Sequence, residues 1–459
     1  MKTIISNNIK IYEPTNEIKD WITSNLKFKN PEFIKKQRMG FWVGNLKPNI
    51  YLYQQIPNGY VIPYGCLDKI VSMLSLGEID IQLKDTEHIE YNSTIELFDY
   101  QREAVDILKK KYIGILQAAP GAGKTQIALQ MIFEIGQRAL WITHTKDLLN
   151  QSKNRALEYI DKSHIGTITE GKVNVGDITF ATIQTLHSID LSLFENMWNV
   201  IVVDECHNVS GTPTKITMYY KVLSKLCAKW KIGLSGTVHR SDGLISTTKA
   251  LLGDISCYID KENMKDRILD VGVYPVATNI EPSLRAYNTD GTLNYTSLIT
   301  DLVNNEERNQ LIIDTLLSED VKPTLILTDR IEHINTLFNM LPNKIREKAT
   351  FITGSTKASA REIALEEMRT GDKKILLATY SLAKEGLDIP LLSRLFLTSP
   401  HKDYAVITQA VGRIARAYPG KEKPIVVDFV DNSKYLKNSY RERIRIYKKN
   451  DCYFVEELK

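Results

Sequence analysis

Short, nearly unbroken apolar runs stand at residues 112–116, 139–143, 178–182, 200–203 and 232–235, with helical stretches between them. A second series stands at 324–328, 349–353, 374–378, 394–398 and 425–428. A run that is apolar at successive positions has no polar face, so it suits a strand buried on both sides of a parallel sheet. Alternation with helices predicts crossover connections. Two successive α/β domains are therefore expected, 91–260 and 261–459, each within the usual domain size. Residues 261 to 300 read as irregular, with a turn signal at Asp290-Gly291 that predicts a hairpin. Residues 1–90 are dense in aromatics and short apolar runs and close on the polar stretch Lys84-Asp85-Thr86-Glu87-His88. They read as a small α+β accessory domain. No fixed-period repeat and no low-complexity tract is visible.

Two segments carry the sharpest chemistry. Residues 118–125 read Ala-Ala-Pro-Gly-Ala-Gly-Lys-Thr, between a predicted strand and a helix over 126–134. In such a turn Pro120, Gly121, Ala122 and Gly123 bring backbone N–H groups to a phosphate, Lys124 adds a mobile cation, and Thr125 offers a hydroxyl to Mg²⁺. The strict pattern has Gly where this chain has Ala118. The run 200–203 then ends in Asp204-Glu205-Cys206-His207. A carboxylate at the C-terminal end of a parallel strand lies beside the phosphate loop, where Asp204 can hold the metal and Glu205 can activate water. Together they describe hydrolysis of a nucleoside triphosphate, with ATP and Mg²⁺ as the expected pair.

Weaker signals surround this pair. Gln101, in Leu97-Phe98-Asp99-Tyr100-Gln101, has the donor and acceptor that suit an adenine edge. Ser235-Gly236-Thr237 places two hydroxyls at a strand end, suited to bond the Asp204-Glu205 segment. In the second α/β region the stretch 378–388 offers hydroxyls for phosphates, with Gly386 for close backbone approach and Asp388 for a ribose or Arg413. Gln409, Arg413 and Arg416 stand in Gln-Ala-Val-Gly-Arg-Ile-Ala-Arg, and the two arginines, three apart, are expected on one helix face as arginine fingers.

Taken in order, these segments resemble the superfamily 2 helicases and translocases, over residues 95–430. Further markers are Thr143 to Leu148, Ala181 to Leu186 and Ile352-Thr353-Gly354. The resemblance implies two tandem RecA-like parallel-sheet domains, ATP at their interface and a nucleic-acid strand across their tops. It implies strand contacts from Thr145, Thr182, Gln184, Thr353, Gly354 and Thr379, and it accommodates Ala118. The Asp-Glu-Cys-His box, Leu234 to Arg240 and the N-terminal segment look like phage UvsW-type and XPB-like DNA helicases. That likeness implies remodelling of forks, Holliday junctions and R-loops, with recombination or replication proteins as partners.

Composition changes the picture in one place. The net charge of +4 says little, but residues 27–47 hold six basic residues and only Glu32 as an acid, a net +5. Lys35, Lys36 and Arg38 suit backbone phosphates, and Trp42 suits a base or a junction. The basic stretch 437–449 reads instead as a solvated helix. Five scattered cysteines with no C-x-x-C pair predict a reducing compartment and no structural zinc. No apolar run approaches the roughly 18 residues of a membrane span, and a cytoplasmic location, in a bacterium or phage-infected host, is expected. Two rival activities stay open. One is an RNA helicase; the other is a duplex-DNA translocase motor of a restriction-type complex.

Overall fold

The continuous apolar runs become the strands of two parallel sheets, and the computed structural model describes residues 1–459 except 75–76, 93–94, 120, 213–215, 237–244, 261, 265–267, 279–282, 284–285, 289–292, 385–386, 388 and 459. The chain divides into two units, Met1–Asn263 and Met264–Lys459.

The first unit opens with short strands: β1 (Lys2–Ile5), β2 (Asn8–Tyr12), β3 (Lys27–Lys29), β4 (Asn49–Tyr51), β5 (Gln54–Ile56), β6 (Gly59–Pro63) and β7 (Glu78–Ile81). β3 and β4 pair alone; the others form one sheet in the order β5-β6-β2-β1-β7. Alternate residues Ile9 and Ile11 of β2 face inward, onto Ile18 and Ile22 of the helix Asn16–Asn25 and Ile70 of the helix Leu67–Leu74. That core is not closed on itself. Ile113 and Ala250 of the following α/β body belong to the same cluster. A Cβ at Gly65 would lie 2.5 Å from the Ala250 carbonyl oxygen, so only glycine permits this approach.

The α/β body of the first unit contains β8 (Ile113–Ala118), β9 (Ala139–Thr143), β10 (Ile165–Thr169), β11 (Lys172–Asn174), β12 (Ile178–Thr182), β13 (Val200–Val203), β14 (Trp230–Ser235) and β15 (Ile255–Ile259). Their order is β11-β10-β12-β9-β13-β14-β8-β15, parallel except for the β10–β11 edge hairpin. β10, β11 and β15 were not expected: β10 and β11 alternate polar with apolar residues, and β15 is a half-exposed edge.

In the second unit β16 (Gly272–Ala277), β17 (Thr324–Thr328), β18 (Ala349–Ile352), β19 (Ile375–Thr379), β20 (Arg394–Leu397), β21 (Ile425–Val430) and β22 (Tyr453–Phe454) run in the order β18-β19-β17-β20-β21-β16-β22, parallel throughout. The unbroken apolar runs have their cause here. Leu325, Leu327, Leu395 and Leu397 enter one core layer, while Ile326 and Phe396 between them enter the opposite one. A strand covered on both faces favours apolar residues nearly throughout and takes a polar one only where a partner meets it.

Two expectations change. Residues 261–300 are not wholly irregular, since β16 and the helix Tyr295–Val303 fall there. The Asp290-Gly291 turn lies outside the described residues; Tyr287 and Leu293 form an antiparallel bridge. The polar stretch 84–88 is not a free break, because the Thr86 amide donates to Gln137 Oε1 at 2.6 Å. Nearby, Tyr91 is buried with its ring 5.2 Å from that of Phe133. No helix among the described residues is long and apolar enough to cross a membrane.

Candidate active site and nucleic-acid surface

The phosphate loop follows β8 and ends as the helix Lys124–Ile135 begins. Gly121 and Gly123 take φ of 92° and 77°, a region that side chains with a Cβ rarely enter. A Cβ on Gly123 would also stand 2.3 Å from Gln101 Nε2. Lys124 Nζ donates to the Ala118 carbonyl oxygen at 3.1 Å, so the cation folds back over its own loop. Gln101 is 2% exposed. Its Nε2 donates to the Ala122 carbonyl at 3.0 Å and its Oε1 accepts the Phe98 amide at 3.1 Å. Both ends of the amide therefore brace the loop and cap the helix Asp99–Lys111, rather than facing open space for an adenine edge. Pro120 lies outside the described residues.

β13 delivers Asp204 and Glu205 two strands from that loop, at the same sheet edge. Asp204 is 8% exposed, accepts the Glu205 amide at 3.0 Å on Oδ1 and the Ser152 hydroxyl at 3.3 Å on Oδ2. Burial pushes its carboxyl up to about 6, the Glu205 charge adds to this, and the Lys124 ammonium opposes it. A buried carboxylate beside a hydroxyl-bearing loop fits a hard cation. The described residues hold no cluster of three or more His, Cys, Asp and Glu able to cage a metal. That donor set suits Mg²⁺, which takes one or two protein oxygens and fills its shell from phosphate and water. Thr125 and Asp204 are the residues here that would hold it.

Glu205 adopts φ 47° and ψ 51°, left-handed for a non-glycine residue. His207 Nδ1 lies 3.2 Å from Glu205 Oε2 and 3.1 Å from Ser235 Oγ. The Ser235 hydroxyl, expected to bond the Asp204-Glu205 segment, meets His207 instead. Thr237 lies outside the described residues. Ser152 and His207 were not singled out as site residues from the sequence. Ser152 has no spacing signal, since it meets Asp204 only across the sheet, whereas His207 belongs to the Asp-Glu-Cys-His box and stands two residues from Glu205.

The remaining first-unit positions gather on the neighbouring strand ends. Thr145 caps the helix Lys146–Leu157 by accepting the Leu148 amide at 3.4 Å. Thr182, paired with Thr143 across β9 and β12, donates to Thr185 Oγ1 at 3.0 Å, and exposed Gln184 donates to the His144 carbonyl at 2.8 Å.

In the second unit Thr353 follows β18 and Thr379 ends the adjacent strand β19. Thr353 accepts or shares with Ser355 and Thr356 hydroxyls, Thr379 with Ser381 at 2.9 Å, and nothing would meet a Cβ on Gly354 within 4 Å. Gly386 and Asp388 lie outside the described residues. The helix Tyr404–Ala415 carries buried Gln409 and, in its last turn, half-buried Arg413. Arg416 does not share the helix face as expected. It sits just beyond the helix in an extended conformation, bridged to Ile268. There Lys421 Nζ donates to the Arg416 carbonyl at 2.7 Å and to the Pro390 carbonyl at 3.0 Å. Burial, with Arg416 second, pushes the Lys421 ammonium down to about 8. The basic tail is also not simply solvated: within the helix Lys434–Lys449, Arg443 is buried and grips Asp428 through two bonds of 2.8 and 2.9 Å.

Comparison with known proteins decides the family. Residues 94–240 match the family described as type III restriction enzyme, res subunit, and residues 307–418 match the helicase conserved C-terminal domain. The chain belongs to the superfamily 2 helicases. As such it is an ATP-hydrolysing enzyme, built as two RecA-like parallel-sheet bodies with a small N-terminal sheet. This helicase is 27% identical over 436 residues to helicase D10 of Escherichia phage T5, covering 88% of this chain and 90% of that one. It is 24% identical to the DNA 3'-5' translocase XPB2 of Sulfurisphaera tokodaii, over 70% of this chain and 79% of that one. The solved structure of S. cerevisiae Dbp5 bound to RNA and ADP BeF3 shares its fold, with TM-score 0.55 and 15% identity over 86% of this chain and 94% of that one.

Proposed function

We propose that this helicase is an ATP-driven DNA motor that remodels branched DNA, in the host cytoplasm, during recombination, repair or replication. In this reading Lys124 neutralises the β- and γ-phosphates, Gly121, Ala122 and Gly123 present backbone amides to them, and Gln101 holds the loop that does so. Glu205, with His207 beside it, orients and activates the attacking water. Thr125 and Asp204 would hold Mg²⁺, which would supply charge neutralisation at the phosphates when bound. Arg413 and Arg416 carry the cations that stabilise the developing charge, with Gln409 beside them. Thr145, Thr182, Gln184, Thr353, Gly354 and Thr379 contact the nucleic-acid strand. Lys35, Lys36 and Arg38 bind phosphates of the substrate's arms.

The observation that carries the DNA-remodelling reading is the accessory sheet with its net +5 segment, built onto the first unit through a shared core. Kinship with a DNA translocase, XPB2, supports it. The test is a panel of forks, four-way junctions, R-loops, plain duplex and RNA, with ATPase and strand displacement measured on each. Strongest displacement on branched DNA is expected. Displacement on RNA alone would overturn the reading. The restriction-subunit match over 94–240 favours a second reading, a duplex translocase. It requires ATPase stimulated by plain duplex with no strand displacement on any substrate.

A further inference from the structure

The segment between β3 and β4 spends chain without building core. The helix Pro31–Arg38 has no buried residue. Only its base is anchored: Phe28 and Ile50 of the paired strands pack on the accessory core, and the Leu52 amide bonds the Leu26 carbonyl at 2.8 Å. Above that base the fold is nonetheless specified. Asn30 caps the helix through the Glu32 amide at 3.1 Å and reaches across to the Lys47 carbonyl at 3.0 Å. The Phe41 amide bonds the Lys36 carbonyl at 2.9 Å, and Gly40 and Gly44 turn the chain at φ 68° and 53°.

This braced loop puts large apolar side chains into water. Met39 is 56%, Phe41 63% and Trp42 88% exposed, within four residues. The Trp42 ring lies over Gly44, where a Cβ would be 3.1 Å from it, so one face of the indole rests on backbone. A core role for Trp42 is thereby excluded. Exposed apolar clusters of this kind mark binding surfaces. Around it Lys29, Lys35, Arg38 and Lys47 are exposed, and Lys35 and Arg38, three apart, share a helix face. Aromatic faces beside cations match the two parts of a nucleotide, a flat base and a phosphate.

We infer that the 39–42 tip is a base-stacking element for unpaired nucleotides, with Phe41 and Trp42 as the platform and Lys35, Arg38 and Lys47 as the phosphate track. The proposal rests on the DNA-motor reading above and adds where a separated strand is held. Duplex DNA shows its bases only by their edges, so the platform selects single-stranded arms. A purely apolar docking patch for another protein would need no flanking cations, and an anionic membrane, which would use both parts, is an outcome of the test below.

The test compares the full chain with Phe41→Ala/Trp42→Ala and with Trp42→Phe. The probes are an oligo-dT strand, a blunt duplex and a fork with oligo-dT arms. Stacking at this site is expected to be worth roughly 5- to 150-fold in affinity per base. The double variant should therefore bind oligo-dT and the fork at least about fivefold more weakly. Blunt-duplex affinity, basal ATPase and thermal midpoint should stay within about twofold, or within a degree or two, of the parent. Trp42→Phe should restore most of the loss. Equal weakening on blunt duplex, or no weakening on oligo-dT, overturns the inference. So does loss of self-association or of vesicle binding in place of an effect on oligo-dT. A parent protein whose ATPase no DNA stimulates would instead sink the motor reading itself.

Discussion

Glu205→Gln is the sharpest perturbation of the hydrolytic assignment, because it changes one proton-accepting group and almost nothing else. The residue sits at φ 47°, a conformation that costs Gln and Glu alike, so the exchange leaves backbone strain as it was. The contact of His207 Nδ1 with Ser235 Oγ at 3.1 Å does not involve the Glu205 carboxylate and is untouched by the exchange. Asp204, which receives the Glu205 amide at 3.0 Å, keeps that bond because it is made by backbone. What disappears is the carboxylate beside the buried Asp204, and with it the base for water. General-base catalysis is worth roughly 10²- to 10⁴-fold, or about 2.7–5.4 kcal/mol of barrier. The expected result is a fall of that size in kcat with nucleotide affinity within about threefold of the parent. Single-turnover ATPase with a fluorescent-nucleotide titration measures both, and thermal melting checks the fold. A variant with kcat within about fivefold of the parent, or one that no longer binds nucleotide, refutes the role given to Glu205.

Three further outcomes follow from the geometry. Arg413→Ala and Arg416→Ala should each lower kcat by roughly 10³-fold or more with little change in ATP affinity; unchanged kcat in both leaves them as ordinary basic residues. Lys421→Ala frees the Arg416 and Pro390 carbonyls it holds at 2.7 and 3.0 Å. Loss of such placement should cost roughly 10- to 100-fold in kcat with unaltered KM and partial rescue by Lys421→Arg. His333 is buried between Thr328 and Asn309, and burial with the Arg308 charge pushes its imidazole down to about 3. Its folded value lies below the unfolded one, so it has no effect above about pH 6.5 and stability falls as pH drops below that. Between pH 6.5 and 5 the loss should approach about 2 kcal/mol, read as a pH-dependent urea midpoint of the second unit that His333→Gln flattens.

What the chain revealed before folding depended on whether a signal was local. The phosphate loop was legible because its glycines, Lys124 and Thr125 are contiguous, and Gly121 and Gly123 have the positive φ such a turn needs. The buried parallel strands were legible because two-sided burial leaves an unmistakable apolar run, as in Leu325-Ile326-Leu327. The edges were not: β10 and β11 are partly polar, and β22 is two exposed residues. Partnerships across strands were hidden for the same reason. Nothing in the spacing of Ser152 and Asp204, 52 residues apart, announces a hydrogen bond. Arg443 looked like one more solvated cation because its partner Asp428 lies on a strand and not on its own helix. Arg416 was misplaced by one residue of helix, the usual uncertainty of a helix end.

The accessory region shows how such hidden contacts alter function. From the sequence, residues 1–90 read as an accessory domain of their own that closes on the polar stretch 84–88. In the fold, Ile113 of β8 and Ala250 of the helix Ile245–Leu252 complete the accessory core, and the Tyr64 hydroxyl donates to the Lys229 carbonyl at 3.0 Å. β8 is the strand that ends in the phosphate loop, and β14, which begins one residue after Lys229, ends at Ser235. The accessory layer thus grips the starts of two strands whose far ends carry nucleotide chemistry. It is a rigid mount more than a tethered module. The exposed tip at Phe41 and Trp42 then rises from a base, Phe28 and Ile50, that packs on this core rather than from a linker. A strand-holding element needs that rigidity, because a stacking platform on a flexible tether would follow the DNA and resist nothing.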